Sequence, residues 1–92
     1  MATVLVILVM CGVSCASRRV TSTPPGALVY LGTDVDDLVS SGFRTPYVER
    51  DLNWKPMCIQ ARMIGFDPSP VVCLPGDQQD REVHFDLARD LN

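Results

Sequence analysis

The sequence predicts an all-β chain: a small antiparallel β-sandwich of about six short strands, after an N-terminal signal segment. Three observations predict it. After residue 17 nothing holds an apolar 3.6-residue period over three turns, and residues 33–41 and 86–91 offer one turn each at most. The same region is cut by seven prolines, which cannot donate to a sheet ladder and so fall at turns, edges and strand starts. Residues 81–87 set Val83, Phe85 and Leu87 in alternation with Glu82, His84 and Asp86, the pattern of a half-buried strand.

The elements follow in order. Residues 19–23 form a first short strand. Thr23-Pro24-Pro25-Gly26 is a turn, with Gly26 free to take a positive φ. Residues 27–31 follow as a strand, with Ala27, Val29 and Leu31 on one face and Leu28 and Tyr30 on the other. A third strand is expected over 45–52. The longest is expected over 54–63, with Met57, Ile59, Ala61 and Met63 on one face and Cys58, Gln60 and Arg62 on the other. Gly65-Phe66-Asp67-Pro68 turns the chain, and 71–74 returns with Val72 and Leu74 opposite in sense to Cys73. Pro75-Gly76-Asp77 is the next turn, and 81–87 closes the domain.

The N-terminus has the character of a targeting segment. Residues 1–14 carry no charged side chain, and eleven of those 14 are hydrophobic. Its apolar stretch, residues 4–13, is too short for the about 20 residues of a membrane-spanning helix and suits the core of a secretory signal. No Lys or Arg precedes it, which leaves an atypical signal, a start further upstream, or a buried Val- and Leu-rich strand as readings. Gly12-Val13-Ser14-Cys15-Ala16-Ser17 resembles the lipobox of bacterial lipoproteins. That resemblance implies a signal peptide of residues 1–14, a cut before Cys15, and lipid on the Cys15 thiol. Acyl chains such as palmitate contribute about 0.8 kcal/mol of membrane affinity per buried methylene. Ala16 rather than Asp follows Cys15, which favours the outer membrane or cell surface over retention at an inner membrane. A cut after Ala16 is the competing reading and yields a secreted, unlipidated protein.

Of the four cysteines, Cys11 falls in the leader, which leaves Cys15 and the pair Cys58 and Cys73. That pair is symmetric about Gly65-Phe66, so a hairpin there sets the two face to face. A disulfide would close a loop of about 16 residues, worth roughly 3 kcal/mol. The other reading is two free thiols packed as small apolar groups. No metal is expected, because there is no C-x-x-C pair and His84 is the only histidine. Eight Lys and Arg stand against 11 Asp and Glu, with no basic run, which argues against nucleic acid as a partner.

Four segments carry a further resemblance. Pro24, Pro25, Gly26 and Ala27, followed by Val29-Tyr30-Leu31, resemble the opening of the PEGA domain, with Pro25 a variant at the second position. Gly42-Phe43-Arg44-Thr45-Pro46 is similar to that family's Gly-x-x-Thr-Pro element, and Ile64-Gly65-Phe66 to its Gly-aromatic turn. Val83, Phe85 and Leu87 are similar to its closing strand, so the resemblance spans residues 19–88. The connection over 32–41 is longer than in the family, and 33–37 enrich it in acid. The resemblance implies a small β-sandwich of bacterial and archaeal envelope proteins, with no catalytic residues and no cofactor. On it, Pro24, Pro25, Gly26, Ala27, Gly42, Thr45, Pro46, Gly65 and Phe66 are structural.

The functional expectation is a non-catalytic envelope lipoprotein acting as a binding or structural adaptor. It would be held to the membrane by its lipid and partnered by an envelope protein or the cell wall. The alternatives are a secreted ligand-binding or inhibitor module, and a redox protein using Cys58 and Cys73. Asp34, Asp36 and Asp37 read as a solvated acidic loop rather than a calcium site. Trp54 is expected to cover the core, and Phe43, on a loop, to serve an interface.

Overall fold

The computed structural model describes residues 16–90, so the expected signal segment and Cys15 lie outside the described residues. Seven strands run in order: β1 (Arg18–Thr23), β2 (Leu28–Gly32), β3 (Val39–Arg44), β4 (Tyr47–Glu49), β5 (Met57–Arg62), β6 (Val72–Leu74) and β7 (Glu82–Asp86). A 3-10 turn, Gly76–Gln78, precedes the last. They form two sheets, ordered β4-β1-β7 and β3-β2-β5-β6. The expected all-β sandwich is present, with seven strands rather than six.

Alternation builds the core. Val20, Val83 and Phe85 point inward from one sheet, and Val29, Ile59, Ala61 and Leu74 from the other; all are buried, with Ala27 beside them. Each fully buried Val, Ile or Phe contributes about 1.5–3 kcal/mol of transfer free energy. The next residues along each strand face outward: Thr21 and Thr23 on β1, His84 and Asp86 on β7, Tyr30 on β2, Arg62 on β5.

One pairing departs from the antiparallel expectation. β1 and β7 are parallel neighbours, from Arg19↔Glu82 to Thr23↔Asp86. Parallel strands need a long crossover, and here the rest of the domain supplies it. Both strands therefore start at the same pole of the sandwich. We call this the β1-start pole, and the end holding Thr23, Gly26 and the loop after β5 the opposite pole.

Four boundaries also differ from expectation, each for a local reason. Residues 33–41 make no helical turn. The Asp37 carboxylate accepts from Thr33 Oγ1 (2.7 Å) and the Asp34 backbone N (2.8 Å), which closes a tight turn. The chain then extends as β3, bonded to β2 across an irregularity between Leu28 and Tyr30. The expected strand 45–52 contracts to β4, where the Glu49 carboxylate accepts from the Asp51 backbone N at 2.8 Å. The expected strand 54–63 starts only at Met57, because Trp54 takes a left-handed φ of 57° and breaks the extended run. Trp54 is 48% exposed and so does not cover the core. Its carbonyl instead abuts Gly76, where a Cβ would stand 2.4 Å from the oxygen. Within the described part of 86–91, residues 86–90 make no turn of helix either; Arg89 forms an isolated bridge with Phe66.

Candidate functional site

Two motifs far apart in sequence meet at one buried hydroxyl. The Thr45 Oγ1 accepts from the backbone N–H of Gly26 (3.0 Å) and of Ala27 (3.1 Å). It also lies 2.6 Å from the Ser22 hydroxyl, which in turn donates to the Pro24 carbonyl at 2.7 Å. Backbone bonds close the junction: Gly26 N to Thr45 O (3.0 Å) and Thr45 N to Ala27 O (2.8 Å). Gly26 has φ 97°, the left-handed region open to glycine. Ala27 and Thr45 are buried at 0% and 4% exposure, and Pro24 and Pro46 each follow a cis peptide bond. This junction of Pro24, Pro25, Gly26 and Ala27 with Thr45 and Pro46 ties β1, β2 and β4 together. Gly42 lies earlier, within exposed β3. Gly65 and Phe66 form the loop after β5, where Phe66 N donates to Met63 O at 3.1 Å and Asp90 N to Gly65 O at 2.9 Å.

Cys58 and Cys73 are direct register partners on β5 and β6, and they are joined by a disulfide with Cα atoms 3.9 Å apart. Cys58 is buried and Cys73 exposed. The bridge lies on the outward face of its sheet. His84 belongs to the other sheet, so Cys73 and His84 do not share a face. The His84 ring instead meets Thr21 Oγ1 (2.7 Å at Nδ1), Thr23 Oγ1 (3.0 Å at Nε2) and Asp86 Oδ1 (3.2 Å at Nε2), all on the outer face of its sheet.

At the β1-start pole sits a polar cluster that the sequence reading missed. Arg18 is buried at 3% exposure, and its Nη1 donates to the Oε1 of fully buried Gln79. Gln79 Nε2 donates in turn to the carbonyls of Leu74 (3.0 Å) and Pro75 (3.1 Å). Glu49, the register partner of Arg18, accepts from the Tyr47 hydroxyl at 2.6 Å. Burial lowers the Arg18 pKa, and the nearby Glu49 charge opposes that shift. Burial first, then the bond to Glu49, pushes the Tyr47 hydroxyl up to about 12. The same bond, with help from the Asp51 backbone, holds Glu49 below its ordinary value. A buried arginine needs such partners. No local pattern in the sequence pairs the two, because Arg18 and Gln79 lie 61 positions apart.

The acidic loop is held by its own internal bonds, and the hydrogen bond from Thr33 lowers the Asp37 pKa. Among the described residues no cluster of His, Cys, Asp and Glu is arranged to hold a metal ion, and no helix is long and apolar enough to cross a membrane. Phe43 is 55% exposed, on β3 rather than a loop, and its ring stacks on Tyr47 at 5.0 Å. No family model, curated protein or solved structure matches the chain.

Proposed function

We propose that this chain is an exported, lipid-anchored, non-catalytic adaptor of the cell envelope, built on a PEGA-like sandwich. The observation that carries the reading is the charge-free apolar leader ending at a small-residue Cys15 step, three residues before β1 begins. The Cys58–Cys73 disulfide supports it, since such bridges persist in oxidising compartments. The meeting of the Thr-Pro-Pro-Gly-Ala and Gly-Phe-Arg-Thr-Pro segments at Thr45 supports the PEGA-like reading, because it gives both motifs one architectural task.

Ala16 and Ser17 alone separate Cys15 from β1, and extended chain spans at most about 3.6 Å per residue. A lipid on Cys15 therefore holds the β1-start pole close to the membrane and presents the opposite pole outward. The test is membrane fractionation of the protein expressed in a bacterial host, beside Cys15→Ser. The reading expects the parent in the detergent-soluble membrane fraction and the variant out of it. A parent that is soluble and begins at Ser17 would replace the reading with the secreted module.

A further inference from the structure

We propose that the outer face of the β3-β2-β5-β6 sheet, at the outward pole, holds a docking groove for an acidic peptide segment of a partner protein. The proposal names the partner-binding surface of the adaptor, and rests on that reading for its orientation. Leu28 on β2 is the register partner of Arg44 on β3 and of Arg62 on β5. The three side chains thus form one row across the sheet, a guanidinium on each side of a leucine. Neighbouring strands lie about 4.8 Å apart, so the two arginines are rooted about 10 Å from one another. That spacing lets both reach one extended peptide.

Both guanidiniums are positioned. Arg62 lies over the Tyr30 ring, 4.1 Å from its centroid, and its Nε donates to Gln60 Oε1 at 2.8 Å. Arg44 Nη1 donates to the Gly26 carbonyl at 2.9 Å. Neither makes an ion pair among the described residues. The far wall is apolar: Ile64 is 100% exposed, and Phe66 stands beside it with the Arg89 guanidinium 5.9 Å from its ring. The groove between them holds about 320 Å³, and no acidic side chain lines it.

On a chain of net charge -3, this groove gathers two unneutralised cations and has no carboxylate in its own lining. Their mutual repulsion is relieved by an anion, and guanidinium forks match carboxylates. The apolar wall asks for an aliphatic or aromatic side chain next to that carboxylate. The six residues of β1 separate this pole from the lipid by about 20 Å, beyond the headgroups of the anchoring membrane.

The test uses the full chain in nonionic detergent, with intact mass recording its lipid state on the same sample. The probe is a fluorescein-labelled octapeptide alternating glutamate and leucine, read by anisotropy. The expected result is saturable binding that weakens at least about tenfold in Arg62→Gln and in Arg44→Gln, as loss of a charge-assisted contact implies. Binding should also fall for the glutamine-leucine counterpart and with added salt. Three outcomes overturn the proposal: binding indifferent to both arginines, salt-sensitive self-association of the chain that Arg62→Gln abolishes, or binding to phosphatidylglycerol vesicles without binding to the peptide. An unlipidated mass with intact peptide binding would sink the anchor alone.

Discussion

Replacing Thr45 by valine removes one hydroxyl and keeps the shape of the side chain, so it isolates what that oxygen does. In the folded chain it serves the N–H of Gly26 and of Ala27 and meets the Ser22 hydroxyl. Gly26 N retains a second acceptor in the Thr45 carbonyl at 3.0 Å, and Ser22 retains the Pro24 carbonyl. Ala27 N has no such substitute, and Ala27 is fully buried. An orphaned buried donor costs about 1–3 kcal/mol, and the lost bonds add about 1 kcal/mol more. Thr45→Val should therefore destabilise by roughly 2–4 kcal/mol, whereas Thr45→Ser loses only a methyl group and costs about 1 kcal/mol. In a domain of this size each kcal/mol moves Tm by about 4–8 °C. Urea unfolding monitored by circular dichroism, at constant m, reads the difference. If the valine variant were as stable as the serine variant, the hydroxyl would not be what joins the two motifs.

Other predictions follow the same logic. Cys58→Ala with Cys73→Ala should lower unfolding stability by roughly 3 kcal/mol, read as a reduced urea midpoint relative to the oxidised parent. Gly76→Ala should destabilise by about 1–3 kcal/mol, because its Cβ would meet the Trp54 carbonyl at 2.4 Å; thermal melts check it. Glu49 titrates below its ordinary 4.5 in the folded state, so its contribution is present above that pH and is lost as pH falls through the lowered value. Glu49→Gln should flatten the acid limb of a stability–pH profile. The Tyr47 hydroxyl is raised, so its contribution holds below pH 10 and is lost as pH climbs towards about 12; Tyr47→Phe should flatten the alkaline limb.

The parts of this fold that were legible in the sequence are those set by local alternation or symmetry. Val83 and Phe85 are buried between exposed neighbours on β7, as a period of two requires. Cys58 and Cys73 meet because they are equidistant from the turn of their hairpin. β3 escaped notice because an exposed outer strand need not alternate, and Val39, Phe43 and Arg44 are all exposed. The parallel β1–β7 pair escaped because its partners lie at opposite ends of the chain. The burial of Arg18 escaped because its acceptor Gln79 is 61 positions away. Arg44 and Arg62 fall in one row across the sheet only through the register of Leu28, which no spacing along the chain encodes.

The central claim, an exported sandwich anchored through Cys15, is tested most directly by one intact mass of the protein made in a bacterial host with its own N-terminus. The account predicts a chain that begins at Cys15, carries acyl lipid there, and lacks two hydrogens for the Cys58–Cys73 bridge. An uncleaved chain with free thiols would contradict it.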